Sequence, residues 1–162
     1  CPKFKIKHST YEDVTVCSEW LNFQNFAEWC NSQKHFNSKD EYGKAYHLDK
    51  DIICSGSGNK TYSPDTCRFI PQRLNKLLST RNKLRGEYPL GVCYNKRASL
   101  YVTAIRVNGK ARHIGYFRDE QLAFQAYKKA KEAYIKEVAE DYFDIIDKDT
   151  YDALLSYVVV DD

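Results

Sequence analysis

Apolar positions along the chain gather into three organised stretches, set apart by polar segments rich in turn formers. Residues 1–16 are polar, basic and irregular. After Ser18 the spacing turns helical. Trp20, Phe23, Ala27 and Cys30 fall on one face, widened by Leu21, Phe26 and Trp29. With Ser18 as its cap, this stretch predicts a core helix over about Glu19–Cys30 that carries no chemistry. Residues 31–44 are polar and predict a loop.

Tyr46–Ile53 predicts a strand, Ser55–Asp65 a Gly/Ser/Asn/Pro loop, and Thr66–Ile70 a second strand. Pro71 suits the first position of a helix whose buried side is Leu74, Leu77 and Leu78, running through about Ser79. The order is strand, loop, strand, helix. The third stretch is patterned most sharply. Gly91–Tyr94, Leu100–Val107 and Ala111–Tyr116 predict three short strands, joined by a Lys96-Arg97 turn and by Asn108-Gly109, the strongest short hairpin signal. Asp119 then caps a long helix with an apolar stripe of Ala123, Ala126, Tyr127, Ala130, Tyr134 and Val138. Lys128, Lys129, Lys131 and Lys136 are placed on its solvent side, and the small residues of the stripe let it lie close on a sheet. Beyond Tyr142 a short helix near Tyr151–Leu155 and a strand at Val158–Val160 are expected.

These elements predict an α+β chain. An N-terminal helix plus a ββα unit occupies residues 1–80, and a basic linker residues 81–87. A three-stranded antiparallel sheet packed on a long helix fills residues 88–142, and an acidic extension residues 143–162. At 162 residues the chain has room for one compact domain or two small ones. Its 43% hydrophobic and 14% aromatic content suits a folded protein. No apolar run approaches the roughly 20 residues of a membrane span, so no membrane partner is expected. The chain opens on Cys1 and contains no Met, so a removed N-terminus or a longer product is expected.

Charge changes the picture. The net charge is only +3, yet residues 137–162 hold nine acids against one base, Lys148, which leaves 24 bases and 13 acids, a net +11, for residues 1–136. A basic body of that size attracts polyphosphate, or else is simply a solvated surface. From Thr66 through Gly86 there is no acid, but there are Arg68, Arg73, Lys76, Arg81, Lys83 and Arg85, which suits a phosphate-contacting arm. The six cysteines form no C-x-x-C pair, so reduced thiols are expected. A zinc site combining some of them with His8 or His35 gains no support from the spacings.

Residues Tyr88–Tyr134 read Y-P-x-G-V, Y-V-T-A-I-R-V-N-G-K, H-I-G-Y-F and D-E-x-x-A-x-x-A-Y-x-x-A. This resembles the DNA-binding domain of plant ethylene-response factors, which also occurs in phage homing endonucleases. The resemblance covers about a third of the chain. It implies a sheet lying in the DNA major groove, backed by the helix. Strand alternation then turns Tyr101, Thr103 and Ile105 to the helix and Val102, Ala104 and Arg106 outward, with Asn95 and His113 on the outward side. Of the family's base-reading arginines and tryptophans only Arg106 has a clear counterpart; Cys93, Asn95, Ala104, Ala111 and His113 stand in for the others. That implies weak sequence specificity, with phosphate contacts kept by Lys96, Arg97, Lys110 and Arg112.

The middle stretch resembles a His-Asn-His (HNH) endonuclease motif of the homing type. Tyr46-His47-Leu48-Asp49 lies at its first position, Thr66-Cys67-Arg68-Phe69-Ile70 on its second strand, and Asn75 on its helix. The resemblance makes His47 the general base and Asn75 a ligand of Mg²⁺ or Mn²⁺. Two residues depart from the motif: Tyr46 stands for the first metal ligand, and Thr66 for the Asn that holds the loop and orients the base. Asp49 or Asp51 can supply a substitute oxygen; otherwise the Asp49-Lys50-Asp51 run forms ion pairs with Lys50 and Lys60. The two resemblances together imply a phage-type protein in the host cytoplasm that binds double-stranded DNA and nicks or cleaves it. The rival is a catalytically inactive relative, acting as a DNA-binding regulator or as a phage factor that binds a host protein.

Overall fold

The computed structural model describes residues 13–55, 57–78 and 87–161. Cys1, His8, Arg81, Lys83 and Arg85 lie outside the described residues. The class is α+β, and the chain divides into two compact units, Cys1–Leu78 and Ser79–Asp162.

In the first unit, β1 (Thr15–Val16) pairs in parallel with β3 (Thr61–Tyr62). Neither was expected, because two-residue strands carry no periodicity to read. A 3-10 turn (Glu19–Leu21) then precedes helix α1 (Phe23–Ser32). The cap is Asn22 rather than Ser18: its backbone is extended and its Oδ1 accepts the Gln24 N–H at 2.9 Å. The break at Asn22 shifts the helical phase. Phe23 and Leu21 are therefore exposed (70% and 78%) instead of lining the core. Trp20, Phe26 and Trp29 make the core face, with Trp20 packed 4.5 Å from Trp29 and 5.0 Å from Phe26 between ring centres.

Strand β2 (His47–Asp49) pairs antiparallel with β4 (Arg68–Ile70), and α2 (Gln72–Leu78) follows. The expected strand over Tyr46–Ile53 stops at Asp49 because the Asp49 carboxylate accepts the Ile52 N–H at 3.0 Å and closes a turn there. Leu48 opposes Phe69, whose ring reaches Trp29 and Phe36, so this face of the strand pair joins the aromatic core. The Pro71 carbonyl accepts the Leu74 and Asn75 N–H groups and opens α2, which buries Leu74 and Leu77.

In the second unit, β5 (Val92–Asn95), β6 (Leu100–Val107) and β7 (Lys110–Phe117) form one antiparallel sheet in that order. Asn108 and Gly109 both take positive φ (+49° and +79°), as a two-residue hairpin turn requires. Helix α3 (Glu120–Asp141) begins at Asp119, whose carboxylate accepts the Leu122 N–H at 2.9 Å, a cap that stabilises by about 1 kcal/mol. Thr103 and Ile105 of β6 are buried, and α3 packs on them. The Tyr134 hydroxyl pins the hairpin tip, accepting the Asn108 N–H and donating to Asn108 Oδ1.

Helix α3 buries more than the expected stripe: Phe124, Ile135 and Ala139 are also buried. The reason is the C-terminal segment, which packs back on it through α4 (Lys148–Leu155). Val158–Val160 is not a strand; the Val159 N–H donates to Glu132 and its carbonyl accepts Lys128 Nζ, so side chains of α3 replace a strand partner. Lys128 and Lys131 are accordingly half-buried rather than solvent-facing.

Candidate nucleic-acid interface

Opposed residues in an antiparallel ladder share a face, so the register assigns the two sides of the sheet. The helix side carries Val92, Tyr94, Tyr101, Thr103, Ile105 and Phe117. The other side carries Cys93 and Asn95 from β5 and Leu100, Val102, Ala104 and Arg106 from β6. From β7 it carries Ala111, His113 and Tyr116.

The chemistry of this sheet is one-sided in charge. From Tyr88 to Arg118 there is no Asp or Glu, but there are six cations: Lys96, Arg97, Arg106, Lys110, Arg112 and Arg118. All six are exposed, and among the described residues none sits in an ion pair. Lys96 and Arg97 project from the β5–β6 turn; Arg106, Lys110 and Arg112 cluster at the opposite, β6–β7 hairpin. Arg112 opposes Ile105 and Lys110 opposes Val107, which places both on the helix side of the ladder and suits them to phosphates flanking a groove rather than to base edges. Arg106 stands on the outward side, its guanidinium 3.5 Å from the Gly109 carbonyl, too long a contact to hold it. Asn95 is less free: its Oδ1 accepts the N–H groups of Arg97 and Ala98 at 3.0 and 3.1 Å and shapes the turn.

Tyr116 is a member of this face that strand alternation did not find. A register shift between Thr103 and Ala104 inserts one extra residue into β7, so that Gly115 opposes Thr103 while His113 opposes Ala104. Without the bulge Tyr116 falls on the helix side; with it, the ring lies outward, 56% exposed and 4.7 Å from the His113 ring. The lone Gly115 inside a strand is the sequence signal for it.

The candidate catalytic and metal-ligating residues of the first unit are not assembled in the same way. His47 is exposed at the start of β2, and among the described residues no hydrogen bond orients it. A working general base is normally fixed by a third group. Thr66 holds the loop that precedes β4. Buried, its Oγ1 donates to the Thr61 carbonyl at 2.8 Å and accepts the Ser63 N–H at 3.0 Å, which ties the loop together without reaching His47. Tyr46 packs its ring 5.3 Å from His35. Asp51 is the counter-ion of Lys50, a buried ammonium 2.5 Å away, and Lys60 pairs with Asp13 instead. Asn75 stands half-buried on α2, and its backbone N–H bonds to Pro71. Arg68 turns its guanidinium inward onto the carbonyls of Pro64, Asp65 and Cys67. Arg73 is half-buried and Lys76 exposed on α2. Of the five described cysteines, Cys30 and Cys67 are buried and all are free thiols. Among the described residues no group of three or more His, Cys, Asp or Glu is placed to hold a metal ion. Asp49 closes a turn through Oδ2, and Asp51 neutralises Lys50 through Oδ1.

The chain matches no family model, no curated protein and no solved structure.

Asp49 itself behaves as a structural carboxylate. Burial holds its carboxyl above the usual carboxylate range and the nearby Asp51 charge adds to this; the N–H groups of Ile52 and Asp51 and the Lys50 ammonium oppose it. At acid pH the group is protonated in folded and unfolded chains alike. As pH rises through the raised folded value, ionisation of the buried group lowers stability. Asp49→Asn keeps an oxygen for the Ile52 N–H and removes the charge. It is therefore expected to raise the thermal midpoint at about pH 7 and to leave it unchanged near pH 3, below the carboxylate range. A lower midpoint at neutral pH would mean that the ionised carboxylate has a stabilising partner after all.

Proposed function

We propose that this chain binds double-stranded DNA, laying the helix-free face of the β5–β6–β7 sheet in the major groove, with the ββα unit kept as a nuclease-like scaffold that does not cut. The observation that carries this reading is the sheet itself: six exposed, unpaired cations and no acid between Tyr88 and Arg118. Acids are instead concentrated in the last turns of α3 and the segment after it. In this reading Arg106 contacts a base, Lys96, Arg97, Lys110 and Arg112 contact phosphates, and the protein works in the cytoplasm. Among the described residues no helix is long and apolar enough to cross a membrane.

The test is a mobility-shift series on duplexes of different sequence. Arg106→Ala is expected to lose about 1–3 kcal/mol of discrimination between sequences. Lys96→Ala and Arg112→Ala should weaken every sequence by the same factor, because phosphates are alike. If Arg106→Ala behaves as the lysine variant does, the sheet is not in the groove. Supercoiled plasmid bound by the protein should stay supercoiled with Mg²⁺ or Mn²⁺; metal-dependent nicking that disappears in His47→Ala would restore a catalytic role to the first unit.

A further inference from the structure

Down the middle of the helix-free face, β6 presents Val102, Ala104 and Arg106 in turn. The register flanks Val102 with Cys93 and Tyr116, Ala104 with His113, and Arg106 with Ala111. The central column is thus apolar at Val102 and Ala104 and ends in one guanidinium, with the His113 imidazole beside Ala104. The chemistry of the major groove restricts what such a face can read. Cytosine is read by a carboxylate that accepts from its amino group, and adenine by a side-chain amide that bonds it twice. No carboxylate occurs on this sheet, and its one amide on the outward side, Asn95, has its oxygen committed to the Arg97 and Ala98 N–H groups. Two base features remain that these residues complement. One is the C5 methyl of thymine, the only apolar group a standard base shows in that groove; the other is the acceptor pair of guanine. Val102, Ala104 and Ala111 suit the first, and Arg106 the second.

Spacing sets the length of the element. Four residues of strand from Val102 to Arg106 extend roughly 13 Å, about four base-pair steps at roughly 3.4 Å each. Resting on the reading of this sheet as a duplex-binding face, we propose that it is a thymine-methyl reader, selecting a short A·T run within about four base pairs of one guanine. A general G·C preference is not expected, because a single arginine serves a single guanine.

Four duplexes of equal length, competed against a labelled probe on the full chain at low salt, test this. One carries the A·T run beside a guanine. The second is identical with deoxyuridine for thymidine, which removes only the methyl groups. The third is G·C-rich, and the fourth is the same with 5-methylcytosine. The thymine duplex is expected to compete better than its uracil counterpart by about fourfold per contacted methyl, or about fifteenfold for two. Methylation of the G·C duplex should improve its binding. Val102→Ser should bring the thymine-to-uracil ratio towards one with the salt dependence unchanged. Ala104→Ser, a smaller change, serves if circular dichroism shows Val102→Ser to be unfolded. Equal affinity for the thymine and uracil duplexes, or the tightest binding to unmethylated G·C, overturns the proposal while leaving DNA binding intact. A ratio unaltered in a folded variant likewise removes the methyl contact from this sheet. If no duplex competes at low salt, the DNA-binding reading itself fails, whether because the face binds a protein or because it binds nothing.

Discussion

Between about 50 and 200 mM salt, the affinity of this chain for duplex DNA is expected to fall about a hundredfold. The size of the effect follows from the four exposed cations assigned to phosphates, Lys96, Arg97, Lys110 and Arg112. Each cation that neutralises a phosphate releases condensed counterions, so four contacts give a slope of about −4 in log affinity against log salt. The basic residues between Arg68 and Arg85 contribute less than their number suggests, since Arg68 is turned onto three backbone carbonyls. Anisotropy titrations at four or five salt concentrations measure the slope directly. Lys96→Ala should make it shallower by about one. A wild-type slope shallower than about −2 would remove the sheet cations from the interface.

Gly91→Ala is expected to destabilise the protein by about 3 kcal/mol. Gly91 has φ +76°, and a Cβ there would lie 2.1 Å from Cδ2 of the buried Tyr127 ring. Two penalties combine: a left-handed backbone disfavours any Cβ by about 1 kcal/mol, and overpacking a fixed ring adds roughly 1–3 kcal/mol. Tyr127 has little room to yield, for it is 8% exposed. Displacing Gly91 also disturbs its carbonyl, which accepts the buried Thr103 hydroxyl at 2.7 Å. Gly109→Ala is the control that separates the two terms. Its φ is +79°, but nothing lies within 4 Å of the added carbon, so only the backbone penalty applies. Urea unfolding of the two variants should therefore differ by about 2 kcal/mol. Equal losses would mean that the Tyr127 ring moves aside freely.

The sheet-and-helix unit was legible in the sequence almost to the residue. Leu100–Val107 was expected as a strand and is one, the Asn108-Gly109 turn is where the pair predicts it, and Asp119 caps α3. These features are local. Alternation, hairpin chemistry and a capping carboxylate act over two to four residues, so a window of sequence contains the whole cause. Charge is local in the same sense: the acid-free run from Tyr88 to Arg118 needs no coordinates to be seen.

The tertiary structure decided what depends on partners distant in the chain. The β7 bulge turned Tyr116 outward beside His113, where unbroken alternation would have placed it on the helix side. The cap at Asn22 rather than Ser18 shifted the phase of α1 and put Phe23 in solvent. Val158–Val160 had the composition of a strand, but its backbone groups found Glu132 and Lys128 instead of a ladder. Most consequential are the charged residues of the first unit. From sequence alone, Asp49 and Asp51 were candidate oxygen ligands and Arg68 a phosphate contact. In the fold Asp49 closes a turn, Asp51 neutralises the buried Lys50, and Arg68 caps carbonyls of the 64–67 segment. A polar side chain's role is set by which donors and acceptors folding leaves within about 3 Å of it, and hydrophobic periodicity holds no record of that.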